Sequence, residues 1–130
     1  MTAEALSGTE NLINYDGRIF CSAAAETAGA DGAGPVGRYH QAGDVVWAEF
    51  AGGRVIRGVL VGSCGHSGVL ELAYSQLLHT GEVIAGRCTS VPDVLEDGRI
   101  RLSEHWQRFG PDASTGVSVI EERPHQKAPG

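Results

Sequence analysis

Residues 98–107, GRIRLSEHWQ, decide how this chain reads. An extended backbone sends successive side chains to opposite faces. Ile100, Leu102, Glu104 and Trp106 therefore share one face, while Arg99, Arg101, Ser103, His105 and Gln107 share the other. This is the alternation of a strand with one face buried and one in water. Glu104 breaks the rule by placing a carboxylate on the apolar face between Leu102 and Trp106. An unpaired buried carboxylate is too costly to persist. Glu104 is thus either a satisfied wall residue, hydrogen-bonded to Tyr74, Gln76 or Ser90 or paired with an arginine, or an acid whose pKa is raised by desolvation beside Trp106 so that it exchanges a proton with a guest.

The same punctuation runs through the chain. Nineteen glycines separate short runs of Val, Ile, Leu and aromatics, the spacing of antiparallel strands joined by tight turns. Strands are predicted over 18–22, 37–50 with an interruption at AGD, 54–63, 68–78, 82–91, 99–108 and 114–121, with turns at 51–53, 64–68, 79–81, 96–98 and 109–112. No helix of ten residues or more is predicted. Seven or eight strands without a covering helix must close or stack to hide their apolar faces and edges. The expected fold is all-β, a single small antiparallel up-and-down β-barrel of lipocalin or avidin type, which at about eight strands is either filled by side chains or holds one small ligand. The domain spans 12–122, with a flexible N-terminus over 1–11 and a flexible tail over 123–130. The Gly- and Ala-rich stretch 23–37 reads as a mobile loop or a lid across one end.

Composition narrows the partners. The 130 residues carry a net charge of −6 and only ten Lys and Arg, so no basic stripe exists for a phosphate backbone and no nucleic-acid partner is expected. The first fifteen residues have neither a positive leader nor an apolar core, and no apolar run approaches the ~18 residues of a membrane span. No membrane partner is expected, and a cytoplasmic location is. Three cysteines, Cys21, Cys64 and Cys88, lack paired spacing and read as free thiols. His40, His66, His79, His105 and His125 form no metal-ligand spacing stronger than CGH at 64–66, so no metal site is expected. GADGAGPVG at 29–37 neither follows a strong strand nor opens a helix, as a phosphate-binding loop must. Trp47 and Phe50 read as packing or barrel-rim residues.

Alternation on three neighbouring strands outlines a site. Leu70, Leu72, Tyr74 and Gln76 share a face, as do Ile84, Gly86, Cys88 and Ser90, and with the Glu104 face they give an apolar floor and a polar cluster. Apolar walls with a few convergent polar groups describe a small-molecule pocket. Glu104 and Tyr74 are the candidate catalytic residues, with Gln76, Cys88, Ser90, Trp106, Leu72 and Leu102 as candidate ligand-binding residues. Cys88 reads as a small buried hydrophobe, since activating its thiol needs a base or cation that the sequence does not supply.

LINYDGRIF (12–20), YHQAGDVVWAEFAGGRVIRGVLVG (39–62), GEVIAGRCTSVPDVLEDGRIRLSEHWQ (81–107) and STGVSVIEE (114–122) together resemble the small bacterial proteins often labelled N-acetylglutamate synthase. That family's features are an N-terminal INY, a YxGG-like turn, GxCxSxP and ExWQW. Gly86, Cys88, Ser90, Pro92, Glu104 and Trp106 fall on these motifs. The chain departs from them in carrying Phe50 in EFAGG, Arg108 in place of the aromatic after WQ, and a longer Gly and Ala loop. The resemblance implies a lipocalin- or avidin-like barrel that holds a small molecule. Three functions follow: a cofactor-free cyclase or isomerase of specialised bacterial metabolism, working through Glu104 and Tyr74 on a largely apolar substrate; a non-catalytic metabolite carrier; and, as the label says, an acetyltransferase. The last ranks lowest, because holding the pyrophosphate of acetyl-CoA normally takes a strand-to-helix turn. A homodimer through an outer sheet face is compatible with the sequence, which does not fix the oligomeric state.

Overall fold

The structure, a computed structural model, describes residues 13–22, 28–30 and 32–124. Eight strands follow one another: β1 (Ile19–Ser22), β2 (Val36–Ala42), β3 (Val45–Gly52), β4 (Val55–Cys64), β5 (Leu70–Leu78), β6 (Val83–Val94), β7 (Ile100–Arg108) and β8 (Ser114–Glu122). Each pairs antiparallel with the next, and β1 pairs with β8 to close the barrel. The expected up-and-down barrel is therefore the observed one. The N-terminal segment 1–11, residues 23–27 and 31 of the expected lid, and 125–130 of the expected tail lie outside the described residues.

Boundaries shift for local reasons. The interruption expected within 37–50 is a full reversal: Gly43 and Asp44 form the turn, Gly43 at φ 59°, and Ala42 pairs with Val45. Val36, read as loop, opens β2 one residue earlier than expected. β6 runs on to Val94 through Pro92. A proline is tolerated there because the β5–β6 ladder ends at Leu70↔Ser90, leaving only β7 alongside, with Pro92 opposite Leu102.

One end of the barrel is packed solid. Tyr15, which precedes β1, is fully buried there, and its hydroxyl donates to the Gly68 carbonyl at 2.6 Å. Its ring meets Phe20 and Tyr39 at centroid distances of 6.4 and 6.3 Å. Val46, Leu70, Ile100 and Leu102 complete this plug. Such burial is worth about 1.5–3 kcal/mol per large side chain. Filling one end leaves any hollow at the other.

Candidate functional site

A cavity of about 490 Å³ opens at the end bearing the β1–β2, β3–β4, β5–β6 and β7–β8 connections, where Pro35, Arg54, Glu82 and Ser114 line it. That volume lies in the range of small-molecule sites. Phe20, Leu60, Leu72, Leu78, Ile84 and Ile120 supply apolar wall.

Glu104 lies on this wall. Parity along β7 turns it inward, opposite Ser90 on β6 and Ser118 on β8. Its carboxylate accepts a hydrogen bond from Ser90 Oγ at 3.4 Å, and Ser90 Oγ in turn lies 3.5 Å from Cys88 Sγ. The side chain keeps some surface open to the cavity while the barrel wall shields it from bulk water. Burial pushes its pKa up to about 7, and the Ser90 hydroxyl opposes that only in part. Among the described residues no arginine pairs with it, so no countercharge offsets the desolvation.

Its surroundings cannot take over its role. Burial pushes the Cys88 thiol up to about 12, with the charge of Glu104 adding to the effect, so the thiolate is scarce at neutral pH. Tyr39, also on the cavity wall and 2% exposed, is raised well above the ordinary tyrosine value by burial first and Glu104 second. It stays protonated and keeps an O–H to donate. Trp106 crosses the wall with its Nε1 donating to Ser118 Oγ at 3.0 Å. The indole fits because Gly116 lies opposite it on β8 and carries no side chain to meet the ring.

Six of the eight site residues expected from sequence line the cavity: Glu104, Tyr74, Gln76, Cys88, Trp106 and Leu72. Ser90 and Leu102 do not. Both are fully buried, Ser90 beneath Glu104 as its hydrogen-bond donor and Leu102 in the closed-end plug. Tyr74 and Glu104 stand at different depths on this wall. The ladder sets Tyr74 level with Gly86 and Arg108, and Glu104 level with Ser90 and Leu70, four residues further along the strands. Tyr39 is a phenol that feels Glu104.

Tyr39, Phe50, Arg54, Glu82, Arg108 and Ser118 also line the cavity and were not expected as site residues. A signal for Tyr39 was available in VGRYHQA, where parity puts Gly37 and Tyr39 on the buried face of β2. The rim residues belong to turns and strand ends, where alternation says little.

A comparison with protein-family models matches residues 13–123 to the family described as Avidin-like protein. A search of curated proteins finds no match. The family match agrees with the barrel and with a small-molecule site, and it lends no support to an acetyltransferase label.

Proposed function

This chain belongs to the avidin-like family, and we propose on that premise that it binds a largely apolar small molecule and cyclises or isomerises it without a cofactor, Glu104 taking or giving the proton. One observation carries the reading: a carboxyl on the wall of a mostly apolar cavity, unpaired by any described cation and titrating at about 7. A group with that pKa is present in both protonation states at neutral pH, which suits it to general acid or base work. The apolar walls supply the remaining contribution by folding a flexible substrate into a reactive geometry. Tyr39 and Trp106 orient the guest, Tyr39 by donating a hydrogen bond near the acid.

A model reaction tests the base directly. 5-Nitrobenzisoxazole is a flat apolar probe that ring-opens when a base removes its C3 proton; the N–O bond breaks and the electron pair leaves on the phenolate oxygen. The wild-type protein is expected to accelerate this opening with a rate that climbs through pH 7 as the carboxylate forms. Glu104→Gln is expected to lose at least about tenfold in rate while still binding the probe. An equal rate in the variant removes Glu104 from catalysis. For the native guest, the small molecule released from protein purified from its source organism is identified by mass. Its return unchanged after incubation with fresh protein, together with a silent model reaction, makes the chain a carrier.

The same reading seats a second copy on the outer face of β3 and β4. Val45, Trp47, Val59 and Val61 are between 38% and 54% exposed there, with Trp47 directly opposite Val61. Sedimentation at micromolar concentration is expected to show a dimer that Val61→Lys dissociates; a wild-type monomer overturns it.

A further inference from the structure

The cavity's charge is segregated by depth. The deep end holds the acid Glu104 and the phenol Tyr39 with no described cation, whereas both cations that line the cavity, Arg54 and Arg108, stand at its mouth. They share one arc of the rim. Arg54 follows β3, and its carbonyl accepts from the His79 backbone N at 3.0 Å, joining it to the β5–β6 turn. Glu82 belongs to that turn and takes Arg108 Nη2 at 2.7 Å.

The Arg108 guanidinium is held but not saturated. Its two ion-pair contacts, to Glu82 at 2.7 Å and to Asp112 at 3.6 Å, both run through Nη2. Among the described residues nothing takes up Nε–H or Nη1. A guanidinium presents its donors as a planar fork that fits a carboxylate or an acidic enolate. Asp112 is 75% exposed, so its hold on Arg108 is weak. The rest of the chain is acidic, at −6 overall.

We propose that the cavity selects elongated apolar acids, seated tail-first, with the anionic head held at the mouth by Arg108 and Arg54. The reverse orientation presses an anion against Glu104 in a low-dielectric floor, where like charges repel strongly. An ammonium head meets two arginines at the rim, and the nearest carboxylate, Glu82, is already engaged by Arg108. The inference rests on the cavity being a small-molecule site, but not on Glu104 being a base.

Three probes with one ten-carbon tail test it by calorimetry at pH 8: decanoate, decanol and decyltrimethylammonium. Decanoate is expected to bind about tenfold tighter than decanol, as a charged hydrogen bond at a shielded rim allows, and the ammonium more weakly than either. In Arg108→Gln the acid-over-alcohol preference is expected to fall to near unity, and an unchanged circular-dichroism spectrum and melting curve show that the variant is folded. Arg108→Lys keeps the charge without the fork and should recover part of the preference. Equal binding of acid and alcohol by the wild type, or a preference for the ammonium, overturns the headgroup assignment and leaves the Glu104 reaction standing. Binding of none of the three overturns the apolar-cavity reading itself, whatever the nitrobenzisoxazole rate.

Discussion

At neutral pH Glu104 is close to half ionised, because the barrel raises its pKa from 4.5 to about 7. The sign of the linkage follows from proton counts. Below the lower value the carboxyl is protonated in both folded and unfolded chains and contributes nothing. Between 4.5 and about 7 the native state keeps a proton that the unfolded state releases, so stability falls as pH rises. Above 7 both forms are ionised and the full cost remains, about 3 kcal/mol for a gap of this size. Glu104→Gln removes the titration while keeping an oxygen that accepts from Ser90. In urea unfolding it is expected to match the wild type at pH 4 and to exceed it at pH 8 by up to about 3 kcal/mol; equal stabilities at pH 8 show that the carboxyl is well solvated. The inward direction of Glu104 was legible from alternation in LSEHW, since neighbours on a strand cannot share a face. Its missing countercharge was not, because that depends on where nine arginines from distant segments end up.

A pattern repeats in each hairpin. An inward aromatic on the odd strand faces a glycine on the even one: Phe20 with Gly37, Phe50 with Gly58, Tyr74 with Gly86, Trp106 with Gly116. In three of these a Cβ on the glycine would meet the ring of its partner: Gly58 that of Phe50, Gly86 that of Tyr74 and Gly116 that of Trp106. The rings lie across the bare backbone and occupy the interior sideways, so they form a wall without filling the hollow. Not all these glycines are equal. At Gly58 the obstruction is the far end of Phe50, which can turn into the mouth; at Gly62 it is the Glu71 carbonyl of the neighbouring backbone. Gly58→Ala is therefore expected to cost under about 1 kcal/mol while weakening binding of the ten-carbon probes, whereas Gly62→Ala costs about 3 kcal/mol. Chemical denaturation of both separates the two cases, and similar losses contradict this packing. In the β5–β6 and β7–β8 hairpins each aromatic and glycine lie at equal distances from a turn, a spacing present in the sequence, whereas the bulge near Phe50 offsets the β3–β4 pair by one residue. It becomes readable only once each turn is located to the residue.

Closure rests on the shortest strand. β1 has four residues and pairs at three positions with β2 and three with β8. Glu122, 4% exposed, reinforces that seam by accepting from Arg18 Nη1 at 2.8 Å and from the Ile100 backbone N at 3.0 Å. Arg99 Nη1 donates to its carbonyl at 3.1 Å. Glu122→Ala leaves a buried amide without its acceptor and is expected to cost about 3 kcal/mol. Amide exchange is expected to quicken first along β1 and β8; uniform quickening around the barrel rules out the seam as the weak point. At this scale the division between chain and fold becomes plain. Side-chain parity is a local property of extended backbone, so the sequence by itself determined the strands, the closed all-β architecture and the inward face of Glu104, Cys88 and Trp106. Depth along the barrel is not local: it depends on register, which the irregularities at Phe50/Gly52 and Val55/Arg57 shift and which closure of β1 on β8 makes consistent around the ring. Only the tertiary structure could therefore sink Ser90 and Leu102 beneath the floor, part Tyr74 from Glu104, bring Tyr39 to the acid and carry Arg108 to the mouth.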